Sequence, residues 1–71
     1  MTDGKLLKAK INDSGLKFNF VAQELGITVY GLYKKVNNQT EFKASEISKI
    51  KQILNLDQNE VEDIFFANHV E

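Results

Sequence analysis

Apolar residues recur at intervals of three or four along most of the chain, a spacing that places them on one face of an α-helix. Glycine and asparagine interrupt this spacing where a helix would end, because both tolerate the left-handed conformation common after a helix C-terminus. The pattern predicts five short helices, at about residues 4–13, 18–25, 28–37, 44–55 and from 57 onward. No useful stretch alternates between apolar and polar residues as a strand does. We therefore expect an all-α fold in which residues 1–71 form a single domain.

The second and third predicted helices are separated only by a tight turn. Gly26 supplies the turn, Ile27 is expected in the core, and Thr28 is a good N-cap for the helix that follows. The inward positions of this stretch carry apolar side chains: Val21, Ala22, Leu25, Ile27, Leu32 and Val36. Two short helices joined in this way are typical of a helix-turn-helix, in which the second helix is offered to the major groove of DNA.

The helix start signals differ in strength. Asp57 and Glu60 have the spacing of a capping box, so the last helix has the strongest start. The second helix has a poor one, because Lys17 stands where Ser, Thr or Asp would accept hydrogen bonds from the first amides. Either Asn19 caps this helix one step later or tertiary packing compensates.

Composition and charge narrow the picture further. The chain has 71 residues, no cysteine and a net charge of −1, so helix packing must hold one small core without disulfides or cysteine-bound zinc. The charge is uneven: residues 1–38 carry six lysines and three acidic residues, and residues 39–71 carry three lysines and seven acidic residues. A positive front half that contains the helix-turn-helix suits contact with phosphates, although so few charges could split this way by chance. No apolar run is long enough for a membrane span or a signal peptide, so we expect a cytoplasmic protein.

The sequence gives little support for catalysis or metal binding. His69 is the single histidine, and Ser14, Ser45 and Ser48 have no other plausible base to activate them. A metal would find no ligand set beyond scattered carboxylates, and no glycine-rich phosphate loop is present. We expect neither an enzyme nor a cofactor, metal or small-molecule substrate.

With these positions assigned, the segment VAQELGITVYGLYKKVNN resembles the helix-turn-helix of the phage Cro and repressor family. The later run EFKASEISKIKQILNLDQNEVEDIFF is similar to the last two helices of small Cro-like proteins from temperate phages of Gram-positive bacteria. The resemblance covers about residues 5–66. It implies a lambda-repressor-like DNA-binding domain that regulates the lysis–lysogeny switch by binding operator DNA. The modulator-of-repression proteins of lactococcal phages have a similar size, and this resemblance implies instead pairing with the cognate phage repressor.

The resemblance assigns contact roles to the outward positions of the third helix and to one residue of the second. Base-edge or phosphate contacts are implied at Thr28, Val29, Tyr30, Tyr33 and Lys34, with Lys35 beside them and a backbone contact at Asn19. The pattern departs from expectation because direct readout prefers Arg, Lys, Gln or Asn, whereas Val29 and Tyr30 are mainly apolar. The chain has no arginine, and Gly31 stands where Ser or Thr is usual. Two hypotheses follow: a DNA-binding regulator, and a protein that binds the repressor and masks or alters its DNA binding.

Several aromatic residues have more than one interpretation. Tyr30 and Tyr33 could contact thymine methyl groups or sugars, anchor a protein interface, or cover the edge of the core. Phe65 and Phe66 cannot both face the core, because adjacent helical residues point about 100° apart. An exposed phenylalanine there would suggest a homodimer or a partner contact, unless it lies under Phe42 or the chain end.

Overall fold

The computed structural model describes residues 1–67, and within that range it contains five helices and no strand. The all-α fold with five short helices is therefore confirmed, while His69 lies outside the described residues. No helix in this range is long and apolar enough to cross a membrane. In chain order the helices are α1 (Gly4–Asp13), α2 (Phe18–Leu25), α3 (Val29–Val36), α4 (Ala44–Leu54) and α5 (Gln58–Phe65).

Side-chain caps begin α3 and α5 as the sequence predicts. The Thr28 hydroxyl accepts a hydrogen bond from the Gly31 N–H at 2.9 Å. The capping box of α5 is complete, since the Glu60 N–H donates to Asp57 Oδ1 at 2.8 Å and the Asp57 N–H donates to Glu60 Oε1 at 3.0 Å. Such caps each contribute about 1 kcal/mol, which is a useful share of the stability of a small domain.

A residue with left-handed backbone conformation follows each of the first four helices. Gly15 and Gly26 have φ of 77° and 71°, and Asn38 and Asn55 have φ of 63° and 54°. Glycine and asparagine tolerate this conformation best, which is why they stand at these positions. The chain can therefore turn sharply after each of the first four helices and return to the same core.

All five helices contribute to one hydrophobic core. Its buried side chains are Leu7, Ile11, Val21, Ala22, Leu32, Val36, Ile50, Leu56, Val61, Ile64 and Phe65. Leu25 and Ile27, which we expected to face inward, are partly buried and pack against this cluster. Both α2 and α3 pack against this core, while Tyr30 and Tyr33 of α3 remain exposed.

The N-terminal segment is held by two other parts of the chain. Thr2 is buried, its N–H donates to Asn38 Oδ1 at 2.9 Å, and its carbonyl accepts from Asn38 Nδ2 at 2.9 Å. The next residue, Asp3, donates its N–H to the Ile64 carbonyl at 2.6 Å. These bonds connect the start of α1 to the end of α3 and to α5.

Candidate nucleic-acid interface

A short, tight connection joins α2 to α3. The N–H of Gly26 donates to the Gln23 carbonyl at 3.0 Å, and the N–H of Ile27 donates to the Ala22 carbonyl at 3.1 Å. The side chain of Ala22 is buried, and its small size suits a close approach of neighbouring helices. The orientation of α3 relative to α2 is thus fixed by backbone hydrogen bonds and by packing.

The outer surface of α3 is aromatic with one available lysine. Tyr30 is 71% exposed and Tyr33 is 45% exposed. Lys34 is partly exposed, and its Nζ lies 5.4 Å from the centroid of the Tyr30 ring, within the range of a cation–π interaction. We call Thr28, Tyr30, Tyr33 and Lys34 the α3 outer surface.

The ring of Tyr33 is oriented by a contact that sequence reasoning did not identify. Phe18, the first residue of α2, lies with its ring centroid 4.6 Å from that of Tyr33 and an interplanar angle of 32°. Phe18 itself is partly buried against the core. Tyr33 therefore rests on a supported aromatic platform while almost half of its surface stays accessible to a ligand.

The start of α2 lies beside this platform and is suited to an anion. Lys17 occupies the N-cap position with extended backbone, and no side chain within residues 1–67 caps the helix. Asn19 is exposed and does not provide the alternative cap. Uncapped N–H groups and the helix dipole favour a negative charge at such an end, and the exposed Lys17 adds to this effect.

Lys35, which the resemblance places beside the DNA or partner contacts, does not belong to the α3 outer surface in this structure. Its Nζ lies 3.1 Å from Glu46 Oε1 on α4, and the two side chains are only 13% and 9% exposed. The same ammonium donates to the Glu41 carbonyl at 3.0 Å and lies 5.9 Å from the centre of the Phe42 ring. Because adjacent residues of a helix diverge by about 100°, Lys34 and Lys35 serve different surfaces.

Val29 also departs from the expected outward orientation. It is partly buried and packs against the hydrophobic core, so only part of its surface is accessible. Thr28 is exposed, but its hydroxyl oxygen already accepts the capping hydrogen bond of α3. Tyr30 and Tyr33 are consequently the dominant side chains of the accessible surface.

Glu46 is a structural residue that sequence reasoning missed. It is buried, and besides the ion pair with Lys35 it accepts a hydrogen bond from the Lys43 N–H at 2.8 Å. A signal was available, since Glu46 follows Lys43 by the three residues that separate the two ends of a capping box. The motif is hard to recognise because its first residue is Lys43, and lysine is not among the preferred N-cap residues.

The two phenylalanines near the C-terminus separate as their adjacent positions require. Phe65 is buried and forms an edge-to-face contact with Phe42, with ring centroids 5.2 Å apart. Phe65 is therefore a core residue in this structure, and its interface role stays an untested prediction. Phe66 is 59% exposed and borders a cavity of about 430 Å³ together with Met1.

The fold and this surface define a class of protein. It is a small all-α protein in which α3 exposes Tyr30, Tyr33 and Lys34 beside the start of α2, a helix whose N-cap residue makes no side-chain capping hydrogen bond. The model of one protein family matches residues 2–68, and the chain belongs to that family, whose description is "Protein of unknown function (DUF739)". No curated protein and no solved structure matches the chain.

Proposed function

We propose that this protein is a phage-type transcription regulator of the lysis–lysogeny switch that binds operator DNA through α3. The observation that carries the proposal is the joint position of the α3 outer surface and the uncapped start of α2. In a helix-turn-helix, the second helix enters the major groove while the first crosses the phosphate backbone. As such a regulator, the protein would act in the cytoplasm of the bacterial host cell.

Each part of the interface has a distinct task in this mechanism. The first N–H groups of α2 and the ammonium of Lys17 would bind a phosphate and set the register, with Asn19 as a second backbone contact. Tyr30 and Tyr33 would face the base edges. Lys34 would bind a phosphate.

The salt dependence of binding tests the proposal, because each neutralised phosphate releases counterions. The probe is a duplex fragment from the regulatory region next to the protein's own gene. Binding should weaken steeply as salt rises, and Lys34→Ala should reduce the slope of log K against log salt by about 1. Lys51→Ala on α4, in the acidic half of the chain, is the matched control and should leave the slope unchanged. No shift of this DNA by the purified protein at low salt would refute direct DNA binding.

A second function is favoured by the exposed aromatic residues themselves. Tyr30 is 71% exposed and Phe20 is 42% exposed, and aromatic side chains are enriched at the centres of protein interfaces. The chain also lacks arginine, the commonest residue for reading guanine. In this version the protein, alone or as a homodimer, binds the cognate phage repressor and masks or alters its DNA binding.

Co-purification and gel shifts separate the two functions. The repressor encoded in the neighbouring reading frame would be co-expressed with this chain, and the operator shift of each protein measured alone and together. Complex formation that abolishes the repressor's shift, with no shift by this chain alone, would support the second function. A complex that survives Tyr30→Ala and Tyr33→Ala unchanged would exclude the α3 outer surface as its interface.

A further inference from the structure

We infer that α3 recognises its operator chiefly through the methyl groups of thymine, and that Tyr30 and Tyr33 make these contacts. The inference rests on the proposed DNA-binding function and specifies the chemistry that the site reads. It begins from what each base offers in the major groove. Guanine is read best by Arg or Lys, adenine by Asn or Gln, and the thymine methyl group by apolar contact.

The residues of α3 exclude most of the polar readout. Val29–Val36 contains no Arg, Asn or Gln, and the Thr28 hydroxyl oxygen accepts the capping hydrogen bond of α3. The accessible lysine of α3, Lys34, lies in the second half of the helix with its Nζ 5.4 Å from the Tyr30 ring centroid. Asn37 is exposed but follows the last residue of α3, whereas recognition helices read bases mainly with their N-terminal residues. What remains near the start of the helix is aromatic surface.

The two tyrosines are placed to give apolar contact at low entropic cost. Tyr30 lies in the first turn of α3 with most of its surface exposed, and Tyr33 follows one turn later. The stacking of Phe18 on Tyr33 already restricts that ring, so less conformational freedom is lost when it meets a base. Phe18 is therefore a positioning residue for the site.

Charge complementarity identifies the occupant as duplex DNA. The exposed Lys17 precedes Phe18 at the start of α2, and Lys34 Nζ lies 5.4 Å from the Tyr30 ring centroid. Lys34 is without an ion pair among the described residues. The neighbouring Lys35 is neutralised by Glu46 and points to α4. The rings of Tyr30 and Tyr33 suit contact with thymine methyl groups, and the two lysines suit contact with the phosphates of the same duplex.

The test compares thymine with uracil, which differ only in that methyl group. A site would first be selected from a library of random duplexes with the purified protein. Each thymine of the selected site would then be replaced by deoxyuridine. Loss of one buried methyl group should weaken binding about fourfold at the contacted positions, and replacements outside the site should have no effect.

Protein variants assign the effect to α3. Tyr30→Phe keeps the ring and should retain the discrimination between thymine and uracil. Tyr30→Ala should lose most of this discrimination at the thymine that Tyr30 contacts. Gln52→Ala, at an exposed position of α4, is the control and should behave as the parent protein. Circular dichroism of each variant checks that the helices are intact.

The outcomes distinguish this inference from the proposed function. A selected site that tolerates every uracil, or that contains no thymine, would overturn the thymine readout while leaving DNA binding intact. Discrimination that persists in both Tyr30→Ala and Tyr33→Ala would overturn the assignment to these residues. Failure to select any DNA, with or without binding to the repressor, would overturn the proposed function itself.

Discussion

The nearly buried ion pair between α3 and α4 gives a quantitative prediction about what holds the candidate interface in place. Replacing Glu46 by alanine removes the carboxylate that Lys35 Nζ approaches to 3.1 Å and that the Lys43 N–H reaches at 2.8 Å. Lys35 keeps the Glu41 carbonyl and the nearby Phe42 ring, but its charge has no counterion.

The expected cost follows from the burial of this pair. Removing one partner of a buried ion pair costs about 3–5 kcal/mol, and the carbonyl that remains for Lys35 places the value near the lower end, at about 3 kcal/mol. A chain of this size has roughly 4–10 kcal/mol of total stability. Glu46→Ala should therefore lower the unfolding temperature by roughly 12–24 °C, given about 4–8 °C for each kcal/mol.

Urea denaturation followed by helical circular dichroism measures this cost. Glu46→Gln is the matched control, because its amide oxygen can still accept from the Lys43 N–H, and it should cost less than the alanine variant. The double variant Lys35→Met with Glu46→Leu removes both charges and should be closer to the parent than Glu46→Ala. A loss of less than about 1 kcal/mol for Glu46→Ala would refute the structural role of the pair.

Two further predictions concern α1. A Cβ at Gly4 would lie 2.5 Å from the Val36 carbonyl oxygen. Gly4→Ala should therefore destabilise the protein by about 1–3 kcal/mol in urea denaturation, although alanine normally favours a helix. A variant as stable as the parent would contradict this close approach. The hydrogen bond from Lys10 lowers the pKa of Glu60 below its ordinary 4.5, and the same bond raises the pKa of Lys10 above 10.5. The pair thus contributes stability between about pH 4.5 and 10.5 that is lost as pH falls through the lowered pKa of Glu60 or rises through the raised pKa of Lys10. Glu60→Gln should flatten the acid side of the stability–pH curve, and an unchanged acid slope would contradict the linkage.

Local signals were sufficient to predict the helices. The predicted bounds of α1 and α2 agree with the structure, and the caps at Thr28 and Asp57 form as their spacing indicated. Helix periodicity, capping and left-handed ends each depend on residues within four or five positions of one another. A single sequence contains that information directly.

Contacts between distant residues could not be predicted in this way. Thr2 and Asn38 exchange two hydrogen bonds across 36 positions, and the ion pair of Lys10 spans 50 positions. Such contacts depend on how the helices pack, which hydrophobic periodicity constrains only to a face. The pairing of Phe18 with Tyr33 belongs to the same group, because nothing in the spacing of these residues indicates stacked rings.

The two adjacent lysines of α3 show most directly what the sequence could not predict about the candidate interface. Periodicity requires Lys34 and Lys35 to diverge, but it does not say which one turns to α4. The buried Glu46 decides this, because it neutralises Lys35 and leaves Lys34 as the accessible charge of α3. With one free lysine and no arginine, electrostatic attraction from α3 is weak. Any specific recognition by this helix must therefore depend on the surfaces of Tyr30 and Tyr33, which is why uracil substitution and Tyr30→Ala are the decisive measurements.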